Sequence, residues 1–367
     1  MLKYKWFGNL YSDWFREPIS PIERTWCWPV GLIEGQDLIR QKLGINIPDD
    51  YPIAINGWLY LRTDYLRLLR QWGIFVVPFK LIGGISKEKQ NFETAVLPKY
   101  KGFLLLWRNE SKHISNMENV ALWKWLNEIM RIEAKYRLEI VYAGAYGFLF
   151  DSLLGRFYKK FVKDDSDGYY ELLAGFPNRT YEMNVALFEL SEIEQESENF
   201  KQKFSNFLDE FGLEKSDWDL ALPVLREHPQ AILHLIESYR SHPELDPRLR
   251  LELSQEKRNK KFEYALNHLK YPFITRPIFK WLVRWAQNYV PLRETRQHYI
   301  GAGTYFLRQG LKLLASRLGL DPEMIFYLEK AEIDKAVQGK FDLSDFQRIA
   351  KERYDLRELQ KKHPPYE

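Results

Sequence analysis

The chain is poor in the residues that make crosslinks and metal cages. One cysteine, Cys27, stands among 367 residues, so no disulfide can form within a single chain, which fits a reducing, cytoplasmic compartment. Flanked as Trp26-Cys27-Trp28-Pro29, it reads as a small buried hydrophobe. The 7 histidines are scattered, and neither His-Glu-x-x-His nor a Cys/His cluster occurs, which argues against zinc. No phosphate loop of the Gly-x-x-x-x-Gly-Lys-Ser/Thr type is present, and Gly301-Ala302-Gly303 lacks the third glycine of a dinucleotide fingerprint. A Gly-x-Ser-x-Gly elbow is missing too, and no paired-carboxylate or triad spacing supports an independent hydrolase. No run approaches the roughly 20 apolar residues of a membrane helix, and the start, Met1 to Trp6, has no signal-peptide character. Charge of one sign is lacking as well. The 54 basic and 50 acidic side chains leave a net +4, so no global field attracts nucleic acid or a membrane surface.

What is abundant is aromatic surface, 16% of the residues, with 12 Trp. Flat side chains bury large areas at low entropy cost and line apolar pockets well. Trp14, Trp26, Trp28, Trp58 and Tyr60 are candidate substrate-binding residues on this ground, with core packing as the competing role for each.

The spacing of apolar residues predicts a mainly α fold with a small β element in the N-terminal half. Pro18, Pro21 and Pro29 break the start into extended pieces. Ile53 to Leu61 alternates and reads as a strand or hairpin. Asn116 to Arg137 carries a helical stripe of Leu122, Trp123, Leu126, Ile129 and Met130. Phe200, Phe204, Phe207, Leu208 and Phe211 form a second stripe, and Ile232, Leu235, Ile236 and Tyr239 a third. Further helices are expected over Leu249–Leu269, Phe279–Val290 and Thr304–Leu318. This reading divides the chain into an aromatic-rich mixed part (1–190), a helical part (191–335) and a C-terminal helix with an exit (336–367). The sequons at Asn109 and Asn178 carry no meaning in a cytoplasmic chain.

Several strings occur in the order seen in one family. They are Trp14-Phe15-Arg16-Glu17-Pro18-Ile19-Ser20-Pro21, Asn56-Gly57-Trp58-Leu59-Tyr60, and Leu172-Leu173-Ala174-Gly175-Phe176-Pro177-Asn178 with Glu182-Met183-Asn184. Asp219, Pro223 and Arg226-Glu227-His228-Pro229 follow, then Leu292-Arg293-Glu294, and finally Asp321 to Leu328 with Glu332-Ile333. Together they resemble the acceptor-substrate (central) domain of dikinase-like, phosphoenolpyruvate-utilising phosphotransferases, the group of rifampicin phosphotransferase and the phenylphosphate synthase larger subunit. The chain departs from that pattern at Leu213-Glu214, where the family often has His-Arg, and at Gln297, which replaces a lysine.

The resemblance implies a division of labour. ATP phosphorylates a histidine on a swivelling domain, and the acceptor domain holds the hydroxyl compound that receives the phosphoryl group. The chain then needs no cofactor of its own; ATP and magnesium belong to an ATP-grasp partner domain or subunit, and the phosphohistidine to another. Pro364-Pro365-Tyr366 falls about where such enzymes enter the phosphohistidine domain. The expected acceptor is a phenol or another aromatic or hydrophobic alcohol. The alternative is a scaffolding relative of the same domain without acceptor chemistry.

Chemistry is expected on the helix around 292–308. Arg293 and Gln297 share one face, as do Glu294 and His298. Arg293 and Arg296 would neutralise a phosphoryl group, and Glu294, with His298, would act as base or orienter. The competing role is a solvated helix face with surface ion pairs worth about 0–1 kcal/mol each. Gly301 and Gly303 cost ~1 kcal/mol each in a helix interior, so they predict a close approach there.

Overall fold

The hairpin read at Ile53–Leu61 turns on Asn56-Gly57. Both residues have positive φ, 49° and 80°, which is the type I′ geometry that this dipeptide favours between two strands. In the computed structural model, which describes residues 6–7, 15–44, 52–62, 83–162, 168–215 and 217–363, strands β1 (Trp6–Phe7), β2 (Pro52–Ile55) and β3 (Trp58–Arg62) form an antiparallel sheet in the order β1-β3-β2.

The rest is helical. The helices are α1 (Trp28–Leu43), α2 (Lys87–Asn91), α3 (Leu97–Glu110), α4 (Asn119–Phe161), α5 (Arg179–Ser191), α6 (Glu198–Phe211), α7 (Pro229–Ser241), α8 (Pro247–Asn267) and α9 (Pro272–Tyr299). They continue with α10 (Thr304–Arg317), α11 (Lys330–Val337) and α12 (Leu343–Lys361). A mainly α chain with a small β element is thus what the sequence forms.

Two expectations are corrected. Pro29 does not break the chain: it sits in the first turn of α1, directly after wide π turns over Glu23–Cys27. The helical run is continuous from 21 to 43; proline cannot make the usual bond four residues back, and the wide turns just before it take up that gap. The helix expected at Phe279–Val290 runs on to Tyr299 despite Pro277 and Pro291 inside it.

The residues divide into two compact units. Unit one comprises Met1–Glu139, Lys215–Val224 and Gly301–Glu367; unit two comprises Ile140–Glu214 and Leu225–Ile300. The chain crosses between them once inside α4, at 139/140, and otherwise in the connections at 214/215, 224/225 and 300/301.

In unit one, α10 buries Phe306, Leu307, Leu311 and Leu314. Its Gly310 lies against Leu126 of α4, where an added Cβ would stand 2.6 Å from that side chain. Arg317 closes the turn before α4 by donating to the carbonyls of Met117 (2.6 Å) and Ser115 (2.7 Å). In unit two, the phenylalanine stripe of α6 packs as read: Phe200, Phe207 and Phe211 meet Leu187 and Leu190 of α5 and Ile232 and Ile236 of α7. Leu235, placed by its spacing in the α7 stripe with Ile232, Ile236 and Tyr239, is 46% exposed. At the point where residues 215–224 leave, Leu225 N–H donates to the Glu214 carbonyl (2.9 Å) and Arg226 N–H to the Gly212 carbonyl (2.7 Å).

Candidate functional site

A cavity of about 280 Å³ lies in unit two, between the segment 170–178 and helix α9. Its wall is built on Gly175. This residue has φ +72°, and a Cβ there would stand 2.7 Å from the backbone nitrogen of Gln255. Only glycine meets both demands. Arg258 of α8 fixes the same turn by donating to the carbonyls of Ala174 (2.9 Å) and Gly175 (2.6 Å), with its guanidinium 4.0 Å from the Phe176 ring centre. Gln287 of α9 donates to the Leu172 carbonyl at 2.9 Å. Asn178 then starts α5, its side chain accepting from Tyr181 N–H at 2.8 Å. The asparagine of one sequon is therefore a helix cap.

The opposite wall comes from α9 and α4. Val290, Pro291 and Arg293 line the cavity from α9, and Asp151 lines it from α4. The two helices run close, since a Cβ on Gly147 would stand 3.0 Å from the Tyr289 carbonyl. Arg293 Nη1 lies 3.5 Å from Asp151 Oδ2. Asp151 also takes part in a hydrogen bond with the Tyr169 phenol, which burial pushes up in pKa, followed by its bond to Tyr170 and the Asp151 charge. The other oxygen, Asp151 Oδ1, is buried without a hydrogen-bond partner. A buried carboxylate oxygen left unpaired is costly and is free to take a proton or a donor from a ligand. Tyr170, Leu173 and Phe176 add apolar surface.

The residues singled out from sequence fall in several places. Arg293 is at the cavity. Arg296 is buried against Gly144, with its guanidinium 5.1 Å from the Phe148 ring centre, as is that of Arg293. His298 is buried, with Nδ1 3.0 Å from Glu214 Oε2 and its ring edge-on to Phe211. Neither Arg296 nor His298 is among the cavity-lining residues. The side chains of Glu294 and Gln297, and all of Trp14, lie outside the described residues. The other aromatic candidates belong to unit one. Trp26 is buried against Trp123 and donates to Asn127 Oδ1 at 3.1 Å. Trp28 meets Phe15 edge-on. Trp58 donates to the His363 carbonyl at 3.1 Å, and Tyr60 is buried. Asp151 and Tyr170 were missed by sequence reasoning, since no local pattern marks a carboxylate or a tyrosine as cavity-lining.

A second concentration of charge lies buried in unit one, and spacing did not reveal it either. Asp219 accepts from Ser20 N–H (2.5 Å), the Ser20 hydroxyl (2.6 Å), Ala221 N–H (2.8 Å) and Arg357 (3.3 Å). Arg357 also donates to the Pro18 carbonyl at 2.7 Å. Asp219 thus ties the Glu17–Pro21 string to α12. Nearby, Arg137 stands between Glu23 (3.9 Å) and Glu133 (3.8 Å), and Glu133 accepts from the Tyr100 hydroxyl at 2.5 Å. Burial raises Glu23 to about 7, against the opposing pull of Arg137. Burial and the Arg308 charge lower Lys215 to about 8. The close approach expected at Gly301 and Gly303 holds for Gly303 alone, where a Cβ would collide with the Glu133 carboxylate and with Trp107; Gly301 has φ +83°, and a Cβ there would meet no neighbour closer than 3.7 Å.

Most of the cavity-lining residues, though not Asp151 or Tyr170, fall within a segment that matches a family. Residues 171–294 match the rifampicin phosphotransferase fourth domain. Chondramide synthase cmdD of Chondromyces crocatus is 25% identical over 208 residues, which covers 47% of this chain. The chain spans about 5% of the length of that relative.

Proposed function

We propose that this chain, phosphotransferase-like through its match over residues 171–294, is the acceptor-binding part of an ATP-dependent phosphotransferase. A phosphohistidine on another domain or subunit would phosphorylate the hydroxyl of an aromatic or hydrophobic acceptor seated in the unit-two cavity. ATP and magnesium would act on the partner that charges that histidine.

One observation carries the reading. Two separate stretches of the matched segment, 173–178 and 290–293, converge on one cavity that also holds Arg293 beside Asp151. Phosphoryl transfer needs in-line positioning and charge neutralisation more than covalent help. Arg293 supplies a cation for the phosphoryl oxygens. Asp151, or Glu294 next to Arg293 in sequence, takes the acceptor proton as the new O–P bond forms and the P–N bond of the phosphohistidine breaks. At about 280 Å³ the cavity lies near the lower end of ligand pockets, ~300–1,000 Å³. It suits a single-ring phenol better than an ansamycin macrocycle.

Calorimetric titration of the chain with phenols and with an ansamycin tests this. Phenol binding that is lost in Ala174→Phe, which fills the cavity from its wall, is the expected result. Binding of charged sugars or keto acids with no response to any aromatic sinks the reading. No response to any small molecule leaves the scaffolding alternative.

A further inference from the structure

The outward face of α9 is apolar where a helix of a folded unit is ordinarily polar. Its buried face is made by Thr275, Phe279, Leu282, Val283 and Ala286. Wound at 3.6 residues per turn, the remaining surface sorts into two ridges. Phe273, Ile274, Ile278 and Trp281 form one, at 97%, 66%, 44% and 45% exposure. Arg276, Lys280 and Arg284 form the other along its flank, all exposed. Among the described residues no carboxylate pairs with any of these three cations.

The start of this face is strained and held rigid. Tyr271 has φ +53°, a conformation that non-glycine residues rarely adopt, and is 73% exposed. Lys270 N–H donates to the Phe161 carbonyl (2.8 Å), and the Thr275 hydroxyl donates to the Lys270 carbonyl (2.8 Å). Val162 and Leu269 bridge beside it. The fold therefore maintains a left-handed tyrosine that lifts Tyr271, Phe273 and Ile274 into solvent, an arrangement that stability alone does not require.

We propose that this face of α9 docks on an anionic lipid surface, with the apolar ridge at the acyl boundary and Arg276, Lys280 and Arg284 among the headgroups. An interfacial helix combines these two ridges. A fluid surface receives a projecting ring such as Phe273 without needing a shaped pocket. No helix among the described residues is long and apolar enough to cross a membrane, so the contact is peripheral. The near-neutral total charge is no obstacle, because attraction to anionic headgroups acts within a Debye length and depends on the local patch.

The test is co-sedimentation of the full chain with vesicles of equimolar phosphatidylcholine and phosphatidylglycerol, against vesicles of phosphatidylcholine alone. The wild-type chain is expected to pellet with the anionic vesicles only, and less so at high salt. The triple variant Arg276→Glu, Lys280→Glu, Arg284→Glu should bind on the order of 100-fold more weakly, and Phe273→Asp should also lose binding. All four positions are exposed, so circular dichroism and thermal melts should match wild type. A chain that stays in the supernatant with anionic vesicles overturns the proposal, as does binding that ignores the ridge variants. Self-association, or capture by an acidic protein, that Phe273→Asp abolishes while vesicles go unbound assigns the face to a protein partner and overturns it too.

Discussion

Arg293 Nη1 and Asp151 Oδ2 stand 3.5 Å apart at the wall of the unit-two cavity. Both line the cavity, so a ligand seated there meets a cation and a carboxylate side by side. Arg293→Ala and Asp151→Asn should each lower phosphoryl transfer by roughly 100- to 1,000-fold, the usual cost of removing one charge-stabilising group. Glu294→Gln should do the same if that carboxylate is the base. Acceptor binding should stay near wild type in all three. Single-turnover transfer from a phosphorylated partner, with calorimetry of the acceptor, measures both quantities.

Gly175→Ala should destabilise unit two. It combines a left-handed backbone with a Cβ 2.7 Å from the nitrogen of Gln255, and neither conflict can relax through a flexible side chain. The expected loss is about 3 kcal/mol or more, read as a lower denaturation midpoint. Phenol binding should be lost with it, because the same turn forms the cavity wall.

Stability should fall as pH rises from about 5 to about 7. Glu23 is raised from its ordinary value of 4.5 to about 7, and burial raises Glu133 and Asp217 in the same direction. Between the unfolded and folded values the folded state binds more protons, so the slope of unfolding free energy with pH is negative. Glu23 alone accounts for roughly 3 kcal/mol. Lys215, lowered to about 8 from 10.5, has the opposite sign and restores stability above about 8. Denaturant titrations of wild type and Glu23→Gln should show the acid-side slope flattened in the variant.

Cys27 should resist alkylation in the native chain. It is buried, and burial, with the Glu23 charge next, pushes its thiol well up. Little thiolate is then present at neutral pH. Iodoacetamide should modify it only at the rate of unfolding, followed by mass spectrometry.

Much of this architecture was legible because the relevant signals are local. The Asn56-Gly57 hairpin and the phenylalanine stripe of α6 depend on neighbours within a few residues. Pro29 misled because the π turns over Glu23–Cys27 absorb its missing bond, and no composition signal marks such turns. Leu235 misled because its spacing fits the stripe while α7 leaves it at the edge of the contact. Arg293 could be named from a resemblance, but Asp151 could not. It lies in the C-terminal third of α4, in an apolar run with no motif around it, and it gains meaning only when α9 packs beside it. The group of Glu23, Glu133, Arg137 and Asp219 is likewise drawn from distant parts of the chain. Its members look like surface charges until folding buries them.

The two backbone bonds from Leu225 to Glu214 and from Arg226 to Gly212 have a consequence for modularity. They clamp the neck of the Lys215–Val224 excursion, so the polypeptide returns to unit two almost where it left. The Lys215–Val224 detour is thus tied off at its base, and the cavity walls on either side of it belong to one nearly continuous stretch of polypeptide.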